Sequence, residues 1–215
     1  KNDSIMKKLL ALLFSLFLLS SPSVFADDIS DFQIEGISIG DSLLDYMTEG
    51  EILEAIETDK DEHSYLKEPN KYSEVFLKKD FLTYNNLSAY IKKNPTSQYV
   101  TNKNSNEKYT ILGIRGMITY IDDFDNCILK RDEIAGELSN IFQNAELFEI
   151  IAKHPIDPSG ESIKDGVYFN FKSGGVCEAS CLDIEETFRI KNNWSEHLQV
   201  AIYSPEVKIW LQGAK

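Results

Sequence analysis

The sequence predicts an α+β fold in which a largely antiparallel sheet carries amphipathic helices packed on one face. A β-rich segment at 109–121 runs directly into a segment at 128–145 whose apolar residues recur at helical spacing. Further along, β-rich segments at 167–171 and 176–184 flank a Ser-Gly-Gly turn at 173–175, which is typical of a β-hairpin. Paired strands and a helix that covers them together indicate this fold class.

The first elements along the chain are predicted to be a short strand and a helical region. Apolar residues at 32–39 indicate a strand that Gly36 interrupts. The Asp-Ser pair at 41–42 can cap a helix, because both side chains accept hydrogen bonds from free backbone N–H groups. Apolar residues then recur at helical spacing over 43–56, and Gly50 predicts a division into two short helices.

The β-rich segment at 109–121, which we call the central strand, follows a segment that is rich in loops. Residues 65–70 are predicted to form a loop, while the aromatic-rich segment 75–84 has no clear period. Residues 87–91 alternate as a strand does, and the polar segment 94–108 predicts a long loop.

The segment at 128–145, which we call the central helix, has the clearest helical pattern in the chain. The turn at 122–126 contains Asp and Asn side chains that can cap the helix, and 147–152 suits either its continuation or a strand. Residues 198–203 predict a further strand. Pro205 can open a last helix whose residues Val207, Trp210 and Leu211 face the core.

The order of these elements leaves a second architecture open. A helix followed by strands occurs in residues 32–121 and again in 128–212, so two tandem repeats are an alternative to a single α+β domain over 27–215.

The N-terminal residues predict a secretory signal peptide. Lys7 and Lys8 precede an apolar run at 9–19, and small residues lead to a cleavage site after Ala26. The apolar run is too short to span a bilayer. Cleavage between Ala26 and Asp27 predicts a periplasmic or secreted mature chain.

The mature chain is strongly acidic. The full chain has a formal charge of −13, and loss of a leader with three lysines and one aspartate leaves −15. Such a charge disfavours nucleic acid and anionic membranes as partners, and it tilts slightly towards basic ones. No second apolar run is long enough to span a membrane, so no membrane span is expected in the mature chain.

Four runs of residues lie at 34–44, 153–160, 169–175 and 194–202. They resemble a family of uncharacterised secreted proteins of marine alphaproteobacteria, and the resemblance covers nearly the whole mature chain. It implies a periplasmic setting, and it implies no activity.

The three cysteines predict one disulfide, between Cys127 and Cys181. Cys127 lies where the central strand meets the central helix, and Cys181 lies in a hairpin strand that can neighbour it. The family pattern has one cysteine near each of these positions, and Cys177 departs from it. Cys177 and Cys181 are not expected to pair, because four residues of strand span about 13 Å. Three reduced, partly buried thiols are the alternative.

The residue pattern predicts no catalytic centre, metal site or cofactor. His154 and His197 lie near acids and a hydroxyl group, but no nucleophile-elbow or zinc-protease motif occurs in the chain. Exposed or turn-stabilising histidines are therefore the favoured interpretation, and a periplasmic hydrolase that uses His154 or His197 is an alternative. The acidic run at 59–62 does not match an EF-hand calcium loop. Solvated loops and a helix cap account for this run and for the one at 122–125.

These observations favour a non-catalytic binding or interaction module whose partner is a protein, a peptide or a small molecule. Tyrosines suit recognition because each gives a large contact area with a polar tip. Tyr84, Tyr90 and Tyr99, together with His154 and His197, are therefore candidate binding residues. A structural or stress-related envelope protein is a further alternative. An exposed apolar patch or an unpaired sheet edge would favour the binding module.

Overall fold

The structure, a computed structural model, describes residues 29, 32–92 and 109–213. The predicted leader, the predicted loop at 94–108 and Tyr99 lie outside these residues. The described strands are β1 (Gln33–Ile34), β2 (Ile37–Ser38), β3 (Tyr72–Phe76), β4 (Asn86–Lys92), β5 (Gly113–Thr119), β6 (Glu146–Lys153), β7 (Ile163–Asn170), β8 (Val176–Asp183) and β9 (His197–Tyr203). The described α-helices are α1 (Glu49–Thr58), α2 (Phe124–Ile141), α3 (Glu186–Asn192) and α4 (Pro205–Leu211).

Seven of the described strands form one antiparallel sheet in the order β3-β4-β5-β9-β8-β7-β6. The strands β1 and β2 form a separate antiparallel pair. The predicted α+β class with a largely antiparallel sheet is confirmed.

The two faces of the sheet differ because side chains alternate along each strand. In β4, Leu87, Ala89 and Ile91 point to the face that we call the helical face, where they join the main core with α1 and α2. Ser88 and Tyr90 point to the opposite face, which we call the polar face. The predicted packing of helices on one face therefore holds for the two longer helices, α1 and α2.

A smaller apolar cluster covers one end of the polar face. Val207 and Trp210 of α4 pack there with Leu66, Tyr90 and Tyr203. Their burial confirms the core positions predicted after Pro205 and brings a helix onto the second face.

The central helix, α2, differs at both ends from its predicted bounds of 128–145. It begins at Phe124 inside the predicted capping turn, and its N-cap residue Asp123 makes no side-chain capping hydrogen bond, so the capping prediction is wrong. It ends at Ile141 because Phe142 leaves the helical path and packs against Phe171 at a ring-centroid distance of 4.9 Å.

The predicted break at Gly50 is also wrong. Gly50 is the second residue of α1, and the break lies before it, between a 3-10 turn at Leu43–Asp45 and the helix. Thr48 and Glu51 form a capping box that fixes this start. Ser42 caps the 3-10 turn as predicted, since its side chain accepts a hydrogen bond from Leu44 N–H.

The strands of the two predicted halves lie on either side of β9 within the sheet. In the first half, the helix α1 is followed by β3, β4 and β5, and in the second half, the helix α2 is followed by β6, β7 and β8. They meet through β9, which lies between β5 and β8. A duplication of sequence behind this likeness stays a prediction.

Candidate functional site

The strand β6 forms an edge of the sheet, and among the described residues it pairs with β7 alone. All eight of its residues pair with β7, so the strand is regular along its whole length. Leu147 and Ile151, on the helical face, are 47% and 71% exposed, and Ile150, on the polar face, is 43% exposed. A long regular edge with exposed apolar side chains can template a further strand.

The opposite edge of the sheet is covered. Tyr72 and Val75 of β3 are buried, because α1 packs on the helical face and the segment 63–66 lies over the polar face. The strand β3 also has only five residues. Of the two described edges, β6 is therefore the accessible one.

The helix α2 leaves β6 exposed because it is fastened further into the sheet. A disulfide joins Cys127 of α2 to Cys181 of β8 with Sγ atoms 1.98 Å apart, which confirms the predicted pairing. Arg131 forms an ion pair with Asp165 of β7. The remaining cysteine, Cys177, is fully buried as a free thiol, and burial raises its pKa, so it is poorly reactive.

A buried network of charged groups lies on the polar face. Arg115 of β5 forms an ion pair with Glu74 of β3, Ser88 Oγ donates to Glu74 Oε1 at 2.5 Å, and His63 Nε2 lies 3.2 Å from Glu74 Oε2. Burial alone would raise the pKa of Glu74, but Arg115, His63 and Ser88 outweigh it and lower the pKa to about 2. The carboxylate therefore stays ionised at neutral pH and cannot act there as a general base of ordinary strength.

A second ion pair lies on the same face towards β6. Lys164 Nζ donates to both carboxylate oxygens of Glu178, at 2.9 and 3.1 Å, and Gln199 Nε2 also donates to that carboxylate. Burial by itself lowers the pKa of Lys164, but the charge of Glu178 reverses the effect and raises it. Both pairs neutralise charge inside the fold.

These networks were not predicted from the sequence, and none of Glu74, Arg115 and Glu178 was a candidate residue. In the sequence, each of these residues is a charged side chain within a mostly apolar strand, which indicates a buried charge that needs a partner. That signal does not say which strands are neighbours.

The two candidate histidines have structural surroundings. The His154 ring meets the Trp194 ring edge-on at 5.3 Å, and burial lowers the pKa of His154. His197 Nδ1 lies 2.7 Å from the Ser195 carbonyl oxygen, and burial lowers the pKa of His197 to about 4. Both imidazoles are therefore neutral at pH 7.

The acid and the hydroxyl near His154 belong to a turn. Ser159 Oγ donates to Asp157 Oδ2 at 2.6 Å, and Ser162 N–H donates to the same oxygen at 3.0 Å. These bonds lower the pKa of Asp157, with the Ser159 hydroxyl as the main cause. The contact of Asp157 with His154 is a backbone one, since Asp157 N–H donates to the His154 carbonyl oxygen at 3.3 Å.

The two candidate tyrosines that the structure describes, Tyr84 and Tyr90, lie mainly within the fold. Tyr90 is fully buried in the smaller cluster, and the ring of Tyr84 packs flat against Gly116. A binding role for these tyrosines and for the two histidines stays a prediction.

No group of three or more His, Cys, Asp or Glu side chains within the described ranges is arranged to hold a metal ion. In the same part of the chain, no helix is both long and apolar enough to cross a membrane. Comparisons of the chain with protein-family models, curated proteins and solved structures find no significant match. The resemblance to secreted alphaproteobacterial proteins therefore stays a prediction.

Proposed function

We propose that this chain is a non-catalytic binding module that takes up an extended polypeptide segment along β6. The observation that carries the proposal is the regular outer edge of this strand, which no other described strand pairs with and where Leu147, Ile150 and Ile151 are exposed. An added strand gains main-chain hydrogen bonds along the edge, and its alternate side chains lie beside the apolar residues on each face.

The state of the charged groups supports a role without catalysis. Glu74 forms an ion pair with Arg115, and Glu178 forms one with Lys164. The Asp157 carboxylate accepts hydrogen bonds within a turn. Acid–base chemistry needs a group whose pKa lies near the working pH and which can reach a substrate. Glu74 and Asp157, whose pKa values are both lowered by their partners, do not have that character.

The leader and the disulfide support a periplasmic or secreted location. Disulfides persist in oxidising compartments, and Cys127 and Cys181 form one here. Intact-mass analysis of protein from the envelope fraction is expected to give a chain that begins at Asp27. Full-length protein retained in the cytoplasm would contradict this location.

The binding function is tested with extended peptides selected on the purified chain from a random library. Hydrogen exchange is expected to show new protection of β6 amides in the complex, and Ile151→Lys is expected to weaken binding at least tenfold. Ile190→Lys is the matched control, because Ile190 is equally exposed, at 69%, but lies on α3. Protection elsewhere in the sheet, or equal affinities of the two variants, would contradict the proposal.

A further inference from the structure

The charges of β6 restrict which strand can pair with its edge. Glu149 and Lys153 are both exposed and both point to the helical face, on either side of Ile151. Their partners across β7 are Val167 and Ile163, which carry no charge. Each of the two charges is thus available to a strand added on the outer side.

A second copy of β6 provides the complementary charges in one register. When two copies pair antiparallel about a twofold axis perpendicular to the sheet, paired residues are equidistant from the residue on that axis. With Ile151 on the axis, Glu149 of each copy lies opposite Lys153 of the other, and the two Ile151 side chains meet. Opposite charges and β-branched pairs directly across a ladder are stabilising.

The neighbouring symmetric registers lack this complementarity. With Glu149 on the axis, two carboxylates face each other, and like charges in that position are destabilising. With Ile150 on the axis, Lys153 lies opposite Leu147. The register centred on Ile151 is therefore the one that matches charge as well as apolar surface.

We infer that the partner of β6 is a second copy of this chain, paired antiparallel with Ile151 on the twofold axis. This inference rests on the proposed use of β6 as a binding edge and adds the identity of its partner. The dimer extends the seven-stranded sheet into a continuous sheet of two copies.

Charge reversal tests the register. Lys153→Glu and Glu149→Lys each turn two attractive pairs into repulsive ones, so each is expected to weaken dimerisation about tenfold or more in sedimentation equilibrium of the purified chain. The variant that carries both changes restores the two pairs and is expected to regain most of the affinity. Lys191→Glu, at an exposed position on α3, controls for the change in net charge.

A cross-link gives an independent measure of the register. With Ile151→Cys the two new thiols lie opposite each other and are expected to form a covalent dimer on mild oxidation. With Leu147→Cys they are about 27 Å apart along the paired strands and are expected not to cross-link. The remaining thiol, Cys177, is fully buried and present in both variants.

The outcomes separate this inference from the proposed function. A monomer at all concentrations, or a dimer that survives Ile151→Lys, would overturn the second-copy partner. A monomer that still binds selected peptides along β6 would leave the binding function standing. Failure of the doubly reversed variant to regain affinity, or cross-linking of Leu147→Cys in place of Ile151→Cys, would overturn the register.

Discussion

Replacing Glu74 by Gln removes the charge around which the network on the polar face is built. The Glu74 side chain is 1% exposed and neutralises Arg115, whose side chain is also largely buried. A buried cation that loses its partner destabilises a fold by about 3–5 kcal/mol. Glu54→Gln is the matched control, because Glu54 pairs with Lys78 at 3.1 Å but is 66% exposed, and surface pairs contribute about 1 kcal/mol or less.

The same residue has a defined effect on acid stability. The pKa of Glu74 is about 2 in the folded chain against an ordinary value of 4.5, and this difference corresponds to about 3 kcal/mol. Because the folded pKa is the lower one, the contribution is fully present above pH 4.5 and is lost as the pH falls to about 2. The free energy of unfolding of the wild-type chain is therefore expected to fall by this contribution between pH 4.5 and about 2. The Glu74→Gln variant has no carboxylate at this position, so its free energy of unfolding is expected not to include that decrease.

Urea unfolding of the disulfide-intact chain at pH 7, 4.5 and 2.5 measures both effects. At pH 7 we expect Glu74→Gln to be several kcal/mol less stable than Glu54→Gln. Free energies of unfolding within about 1 kcal/mol of each other at pH 7 would refute the reasoning. An equal loss between pH 4.5 and 2.5 in wild type and Glu74→Gln would refute the assigned pKa.

Three further predictions concern the disulfide, the histidines and a close contact in the core. Peptide mapping without reductant is expected to find Cys127 linked to Cys181, and a bond to Cys177 would contradict this. Replacing both linked cysteines by Ser is expected to lower the free energy of unfolding by about 4 kcal/mol, because the bond closes a separation of 54 residues. Replacing His154 and His197 together by Ala is expected to leave peptide binding along β6 unchanged by calorimetry, and a loss of binding in a folded variant would contradict it. Gly116→Ala places a Cβ atom 2.6 Å from the Tyr84 ring and is expected to destabilise the chain by about 1–3 kcal/mol in urea unfolding. Gly136→Ala is the control, because Gly136 lies in open space on α2, and it is expected to stabilise the chain by up to about 1 kcal/mol. Equal effects of the two substitutions would contradict this prediction.

Elements with a strong local signal could be predicted from the sequence. The period of α2 and the hairpin turn between β7 and β8 depend on residues close in the chain, and both elements occur where expected. The ends of α2 could not be predicted, since packing of Phe142 against the sheet ends the helix. The short helix α3 has no buried residue and hence no apolar stripe to reveal it.

The candidate site was harder to predict because it depends on the order of the strands. The segment 147–152 suited a helix or a strand because its apolar residues lie on both faces of β6, which removes the alternation typical of a half-buried strand. Its place at the edge follows from the pairing of β9 between β5 and β8. Glu74 and Arg115 lie 41 positions apart and meet because β4 pairs with both β3 and β5.

The difference between the two sheet edges also limits how far association through β6 can proceed. A sheet with two open edges can add copies at each end and grow into a fibre, whereas a twofold contact that uses the same edge on both copies closes at two. In the described part of the chain β3 is short and covered, so a dimer formed through β6 has no equivalent edge left to extend. Glu149 and Lys153 add a second restriction, because registers that leave them unpaired lose the opposite-charge pairs. An exposed apolar edge strand is thus compatible with a specific, closed contact.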